Sequence, residues 1–200
     1  MEPSHKLILT LLEGYSEKVD KRLWPLSEEE YLKEKETLSR FREFLKSSTG
    51  VFSRQNLYGH FCGSAWVVNP GLDKIVLTHH RKLGIWIQLG GHADDDHDLY
   101  RVALKEAEEE SGLHKLRPVL DEEGRVSPID FAIHEIPAYK DVPAHLHFDV
   151  TFAFLAEDEG LVRSDESHDL RWFRFEEAFR VCSEDMHTQL RKLKWVLESY

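Results

Sequence analysis

Three glutamates that lie close together in the sequence could do chemistry: Glu106, Glu109 and Glu110. On a helix, residues separated by three or four positions share a face, so this spacing places the three carboxylates side by side. Adjacent carboxylates repel one another, and a bound cation that takes oxygen ligands, such as Mg²⁺, offsets that repulsion. A solvated acidic helix face is the alternative. Because a Gly-Gly pair precedes the segment and Ser111-Gly112-Leu113 ends it, we favour a metal-binding face beside a tight turn.

The spacing of these glutamates belongs to a longer pattern that runs from Gly91 to Leu113 and resembles the Nudix box. In that pattern a Gly, five residues, a Glu and seven residues precede Arg-Glu-aliphatic-any-Glu-Glu-any-Gly-aliphatic. The spacing is intact here, but His97 stands in place of the first Glu and Lys105 in place of the Arg. Trp86–Gly91 is similar to the family's lead-in, and Leu170–Ala178 to its closing strand and helix. The resemblance covers about residues 60 to 180.

This resemblance implies Mg²⁺ or Mn²⁺ as the cofactor and attack of water on a phosphorus atom of a diphosphate. Divalent cations offset the charge that develops on phosphoryl oxygens and activate the water. The implied metal ligands are the three glutamates, helped by the backbone carbonyl of Gly91. One of these glutamates, or Glu166 in the loop before the last predicted strand, would be the general base. Arg81 and Lys82 are candidate phosphate contacts, with an ordinary solvated turn as the alternative.

His97 and Lys105 are the two departures from the box. In the family, the Glu and Arg at these places orient the metal-binding carboxylates. Lys cannot reproduce the bidentate fork of Arg, whereas neutral His97 could accept a hydrogen bond from Lys105 or ligate the metal itself. We therefore expect the two residues to be coupled, metal binding to be retained, and the rate and metal preference to differ.

A second candidate group lies on the predicted strand around residue 148, where His145, His147 and Asp149 alternate with large apolar residues. Alternation places the three polar side chains on one sheet face and the apolar ones, which must be core, on the other. A polar outer face is the alternative, but His, His and Asp are the side chains of a ligand set. We expect them to meet solvent or to line the pocket above the box helix, where they would contact metal or phosphate.

The elements that must position these residues suggest an α/β protein. Helical spacing marks the first 47 or so residues, where Ser27 and Glu30 fit a capping box. The segments 61–68 and 74–78 predict a hairpin, 85–89 a short strand ending at the Gly-Gly pair, and 99–111 the box helix. Further strands are predicted at 129–136, 146–155 and 170–175, and helix from 176 onward with a break near Cys182.

We therefore expect a Nudix-like α/β/α sandwich with a mixed sheet over residues 48–200, and an N-terminal helical extension over residues 1–47. The extension lies outside the resemblance and carries an apolar stripe of its own. It would pack on the main domain or make an oligomer contact, so a homodimer is one possible assembly.

Composition restricts the partners. The chain has 200 residues and a formal net charge of −11, which argues against binding a nucleic-acid polymer. Its two cysteines, Cys62 and Cys182, lie in no CxxC pattern, so neither a disulfide framework nor a cysteine zinc site is predicted. The N-terminal apolar stretch Leu7–Leu12 is too short for a signal sequence or a membrane span, and a cytoplasmic location is the expectation.

The leading functional prediction is Mg²⁺- or Mn²⁺-dependent hydrolysis of a diphosphate bond in a nucleoside diphosphate linked to another moiety. Isomerisation of a small diphosphate on the same scaffold is a second possibility. A non-catalytic nucleotide-sensing module is a third, because two box positions have changed. Residues outside the box set the specificity, and fold alone does not identify them.

Overall fold

The computed structural model describes residues 5–81, 83–164 and 167–200. The helices are α1 (Lys6–Asp20), α2 (Glu28–Ser47), α3 (Leu99–Ser111), α4 (Phe175–Val181) and α5 (His187–Glu198). The strands are β1 (Gly59–Val68), β2 (Lys74–His80), β3 (Trp86–Ile87), β4 (Leu89–His92), β5 (Leu116–Pro118), β6 (Asp130–Ile136), β7 (His145–Ala156) and β8 (Ser167–Arg174). Within these ranges, none of the helices combines the length and apolar character that crossing a membrane requires.

All eight described strands belong to one mixed sheet. Its centre is the parallel pair β1 and β7, aligned from Gly59 opposite Leu146 to Val68 opposite Leu155. The remaining pairs are antiparallel: β2 and β4 lie along β1, β5 and β6 along β7, and β3 and β8 along β2. The prediction of a mixed sheet is confirmed.

Helices cover both faces of the sheet because its central strands are apolar on both sides. One face buries Phe61, Ala65, Phe148 and Phe152 against α1, α2 and α3. The other buries Trp66, Ile75 and Leu77, among others, against α4 and α5. The predicted three-layer α/β arrangement with N-terminal helices is therefore confirmed.

The N-terminal helices share the main core. The apolar stripe of α1 and α2 is buried, and Phe44 stacks on Phe148 of the central strand with ring centroids 4.0 Å apart. The predicted capping box is present: Ser27 Oγ accepts from Glu30 N at 3.2 Å, and the Glu30 carboxylate accepts from Ser27 N at 2.8 Å. This reciprocal cap fixes the start of α2 and so the angle at which α2 meets the sheet.

A buried ionic cluster joins these helices to α5. The Lys192 ammonium donates to the Tyr15 hydroxyl at 2.6 Å and also to the carboxylates of Glu34 and Asp130. The Tyr15 hydroxyl in turn donates to Glu34 at 2.7 Å. Three acceptors therefore satisfy the three ammonium hydrogens, and one cluster connects α1, α2, β6 and α5.

The strand ahead of the box helix differs from the prediction. A strand ending at the Gly-Gly pair was expected, but β4 continues through Gly90 and Gly91 to His92 and pairs with β1. A glycine is required at Gly90, because its φ is +157° and a Cβ there would lie 2.5 Å from Ser64 Oγ. The short strand β5 was not predicted from the sequence. The predicted helix break near Cys182 is confirmed, since α4 ends at Val181.

Candidate functional site

The site is built where α3 crosses the end of β4. Asp98 begins α3 by accepting a hydrogen bond from Arg101 N at 3.3 Å, and Gly112 ends it with a left-handed φ of +72°. Leu99, Val102, Ala103 and Ala107 are buried against the sheet, so the helix can turn only one edge toward β4. That edge carries Glu106 and Glu110.

Two carboxylates of the box meet the glycine pair. A Cβ on Gly91 would lie 2.5 Å from Cδ of Glu106, so any larger residue would push this carboxylate away from the strand. Glu110, which is almost fully buried, accepts a hydrogen bond from Gly90 N at 3.2 Å. The Gly-Gly pair therefore brings two acidic side chains and strand backbone into direct contact.

Glu109 stands on the outer edge of this group. Its side chain is 60% exposed, and its nearest cation is Lys105, with Nζ at 3.6 Å from Glu109 and 3.9 Å from Glu106. Exposed pairs of this kind contribute little to stability, because water screens them and ordering the side chains costs entropy. Lys105 therefore supplies a positive charge beside the carboxylates but not the two-point contact of an Arg.

His97 contacts a different partner. Its exposed ring packs against Phe52 with centroids 4.6 Å apart. No hydrogen bond between His97 and Lys105 occurs in the part of the chain that the structure describes. The two residues that replace the orienting pair of the box are each held by other neighbours.

The side chains present suit a hard divalent cation. Glu106 and Glu110 offer carboxylate oxygens at one backbone turn, Glu109 offers a third at the solvent edge, and the strand supplies backbone carbonyls. Oxygen donors of this kind are what Mg²⁺ and Mn²⁺ prefer. The donor chemistry therefore fits the metal expected from the sequence, and it does not fit a soft metal.

The other residues predicted from the sequence lie apart from the glycine pair and the box carboxylates, or outside the described residues. Arg81 follows β2, and its guanidinium approaches the backbone carbonyl of Ser167 at 3.5 Å. Of the contacts in the described ranges, none joins Arg81 to the α3 carboxylates. Lys82 and Glu166 fall outside the described residues, so both remain predictions.

The polar side chains of β7 lie on the sheet face opposite α3. α3 packs over Gly63, where a Cβ would lie 2.7 Å from Leu99 O, and His60 and Cys62 alternate to the other side. His147 pairs with His60, and Asp149 with Cys62, on that same far side. The expectation that the β7 group lines the pocket above the box helix therefore differs from the structure, because α3 covers the other face.

Asp149 is also not a surface residue. It is buried, and it accepts a hydrogen bond from Ser64 Oγ at 2.8 Å. Burial raises the pKa of this carboxyl above its ordinary value, against the lowering effect of His134 and of hydrogen bonds from Ser64 and Thr151. The residue therefore joins β1 to β7 inside the sheet.

His147 lies in a group of histidines that sequence reasoning did not assemble. The ring centroid of His147 lies 4.8 Å from that of His60, 4.9 Å from that of His92 and 5.1 Å from that of His145. Burial, and then the neighbouring imidazoles, lowers the pKa of His147 to about 2. Burial, followed by the charge of Arg54, lowers that of His92 to about 4. The rings of His147 and His92 are therefore neutral at pH 7.

Arg54 is another residue that the sequence pattern did not single out. Its guanidinium forms a two-point contact with the Asp94 carboxylate, just after β4. The hydrogen bonds with Asp94 raise the pKa of Arg54 above its ordinary value, and the negative charges of Asp94 and Glu106 raise it further. Arg54 thus adds a cation close to the Glu106 carboxylate. Only its spatial neighbours identify it, because it lies far from the box in the sequence.

Comparisons with known proteins agree with this geometry. The model of the NUDIX domain matches residues 63–195. The chain therefore belongs to the Nudix family, and it is a Nudix-type hydrolase. No curated protein matches the sequence significantly.

Solved structures share the fold at low sequence identity. A Caenorhabditis elegans (C. elegans) Ap4A hydrolase in a binary complex matches with a TM-score of 0.53 and 17% identity, over 70% of this chain and 98% of that one. RenU, a Nudix hydrolase from M. smegmatis, matches with a TM-score of 0.53 and 17% identity, over 74% of this chain and 94% of that one. At this identity the likeness concerns the fold.

Proposed function

We propose that this chain hydrolyses a diphosphate bond in a nucleoside diphosphate linked to another moiety, with Mg²⁺ or Mn²⁺ as cofactor. The observation that carries the proposal is the contact of Glu106 and Glu110 with the Gly90–Gly91 backbone. Burying a carboxylate beside strand backbone is costly unless it is compensated, and a bound cation compensates two carboxylates at once. They are suited to hold a cation that in turn contacts phosphate oxygens.

In this proposal Glu106, Glu109 and Glu110, with the carbonyl of Gly91, hold the cation. When bound, such a cation neutralises charge on the phosphoryl oxygens and lowers the pKa of a coordinated water. The chain's own residues place the substrate: Lys105 and Arg54 bring positive charge to the rim of the carboxylate group.

The chemical step joins a water oxygen to phosphorus and breaks the bridging bond between that phosphorus and its leaving oxygen. Two phosphate-bearing products result, and the proton of the water passes to a carboxylate. We propose that the acceptor is one of the three box glutamates or Glu166. Arg81 and Lys82 remain proposed phosphate contacts for the part of the substrate that extends toward β2.

The family and the cationic rim support a phosphorylated small molecule as the substrate. The similar fold of an Ap4A hydrolase makes dinucleoside polyphosphates a sensible member of a test panel, together with nucleotide sugars, ADP-ribose and dinucleotides. The panel is assayed for phosphate release after phosphatase treatment, with Mg²⁺, with Mn²⁺ and with a chelator. Chromatography of the products identifies the bond that breaks and separates hydrolysis from isomerisation.

The decisive variants are Glu106→Gln and Glu110→Gln. Gln keeps the shape and, at Glu110, an oxygen that can accept from Gly90 N, so the fold is expected to persist while kcat falls roughly 10²-fold or more. Glu108→Gln is the matched control: it removes one carboxylate from the same helix, but from a position that does not face the glycine pair. If both site variants kept wild-type turnover at saturating metal, the proposed metal ligands would be wrong.

A further inference from the structure

Four metal-ligating side chains converge on the far face of the sheet, away from α3. They are His60, Cys62, His92 and His147, and one ligand atom from each lies within 4.8 Å of the other three. They come from three strands: β1 supplies two, and β4 and β7 supply one each. The sheet register places them together, because His92 is opposite Cys62 and His147 is opposite His60. This grouping belongs to the folded sheet and not to a sequence motif.

His60 is the member whose position most requires a ligand. Its side chain is 3% exposed, and both ring nitrogens are buried without a hydrogen-bond partner among the described residues. Buried polar atoms are nearly always satisfied, so an unsatisfied imidazole aimed into a cluster of other ligands needs an explanation. Its ring lies 5.0 Å from that of His92 and 4.8 Å from that of His147. An ion between the three rings would take the lone pair of one of its two nitrogens.

We propose that His60, Cys62, His92 and His147 bind one Zn²⁺. Three imidazoles and one thiolate form a borderline-soft donor set of the kind that selects zinc over Mg²⁺. Tetrahedral zinc holds its ligand atoms about 3.3–3.8 Å apart, as follows from its usual bond lengths. The atoms here already lie within 4.8 Å of one another, so rotations of the side chains can close the site without strand movement.

His145 lies at the rim of this site. Its Nε2 is 3.3 Å from Nε2 of His147, and its Nδ1 faces the carbonyl of Pro143 at 2.9 Å. A histidine held by a backbone carbonyl can orient a neighbouring ligand ring through its other nitrogen. We therefore assign His145 a positioning role.

The proposed zinc site and the box carboxylates lie on opposite faces of the same strand, β4. His92 follows Gly91 directly, and Gly91 is the residue against which Glu106 packs. Zinc on one face of β4 would hold the strand whose other face meets the box carboxylates. The two sites have opposite donor preferences, oxygen in one and nitrogen with sulfur in the other. The zinc assignment does not depend on the reaction that the carboxylates support.

The test measures metal content directly. Chelator-treated full-length protein is incubated with Zn²⁺ in the presence of excess Mg²⁺, dialysed and analysed by mass spectrometry of the metal. We expect about one zinc per chain, and at least a 100-fold weaker affinity in Cys62→Ser and His147→Gln, since loss of a direct ligand should exceed the roughly 10–100-fold typical of outer partners. Titration with Co²⁺ should give tetrahedral d–d bands and a thiolate-to-cobalt charge-transfer band that Cys62→Ser abolishes.

Two controls separate this site from the rest of the molecule. Cys182→Ser removes the other buried cysteine, which packs in the α4 and α5 layer, and should leave zinc and cobalt binding unchanged. Glu109→Gln alters the carboxylate group and should also leave them unchanged. Wild-type protein that retains no zinc would overturn the proposal whatever the variants do. Retention of zinc at wild-type affinity by both Cys62→Ser and His147→Gln would overturn the ligand set.

Discussion

Replacing Lys192 by Met tests the buried ionic cluster between the N-terminal helices and α5. The Lys192 side chain is fully buried, and those of Glu34 and Asp130 are only 9% and 7% exposed. Met has a similar length and removes the positive charge, the three donated hydrogen bonds and the contact of the ammonium with the Trp24 ring, 5.3 Å away. Two carboxylates are then left inside the protein without their counter-ion.

The magnitude follows from the burial of both acids. Removing one partner of a buried ion pair costs about 3–5 kcal/mol, because the remaining charge is uncompensated. In a protein of this size each kcal/mol lowers Tm by roughly 2–4 °C, so Tm should fall by about 6–20 °C. The matched control is Glu34→Gln, which leaves one acid for one ammonium and an amide oxygen to accept from Lys192. Its cost should be about 1–3 kcal/mol, smaller than that of Lys192→Met, because the hydrogen bonds from Lys192 and Tyr15 lose a charged acceptor but no buried charge is left without its counter-ion.

The assay is urea unfolding at pH 7, followed by tryptophan fluorescence, since Trp24 packs beside Tyr15 with ring centroids 4.9 Å apart. Burial first, and then Asp130, raises the pKa of Glu34, so the folded state takes up a proton more readily than the unfolded state. Folded stability therefore gains as pH falls through this raised pKa toward the unfolded value. Without Lys192 the pKa rises further, so the cost of Lys192→Met should shrink at about pH 5.

The reasoning would be refuted if Lys192→Met lost less than about 1 kcal/mol at pH 7. It would also be refuted if Glu34→Gln proved as costly as Lys192→Met, because the charge imbalance would then not be the cause.

Three other changes have clear expectations. Gly91→Ala should lower kcat by about 10²-fold with little change in Tm, because the new Cβ would lie 2.5 Å from Glu106 Cδ and displace a flexible carboxylate. Steady-state kinetics and thermal unfolding measure the two quantities, and a wild-type kcat would contradict the prediction. Gly14→Ala should raise the unfolding free energy by about 0.5–1 kcal/mol, since Gly14 lies inside α1 with nothing within 4 Å of a Cβ. Deleting the first 47 residues should lower solubility or change the oligomeric state on size exclusion, because Phe61 and Phe148 lose their cover. A soluble, fully active monomer would disprove this.

Local sequence patterns predicted most of the fold. The box helix ends at Gly112 as the sequence indicated, because a glycine cap acts locally on the backbone, whereas the Asp98 cap at its start was not singled out. Alternation located β7, because one of its faces is uniformly apolar. β5 was missed because three residues carry too little periodicity to be distinguished from a loop. β4 was predicted too short because glycines weaken a strand pattern, and these two are explained only by spatial neighbours, Ser64 beside Gly90 and Glu106 beside Gly91.

The two candidate sites differ in how many of their residues could be predicted from the sequence. The carboxylate group could be predicted because Glu106 and Glu110 share one helix and one spacing. The far-face cluster could not, since His60, His92 and His147 come from three strands and only the register brings them together. The sequence prediction of no cysteine zinc site considered cysteine pairs alone. Cys62 joins histidines instead, which no spacing rule for cysteines detects.

The ionic cluster also bears on the order in which the protein folds. Tyr15 and Lys192 are separated by 177 residues, and the central pair β1 and β7 joins segments far apart in the chain. Closing such long loops is entropically costly before the contacts form, so folding of this kind is slow. During synthesis α1 and α2 are made before the sheet, so their apolar stripe has no surface to cover until β7 and α5 have been made. The nascent chain therefore carries an exposed hydrophobic segment over that interval, and chaperone binding at α1 and α2 is the expected consequence.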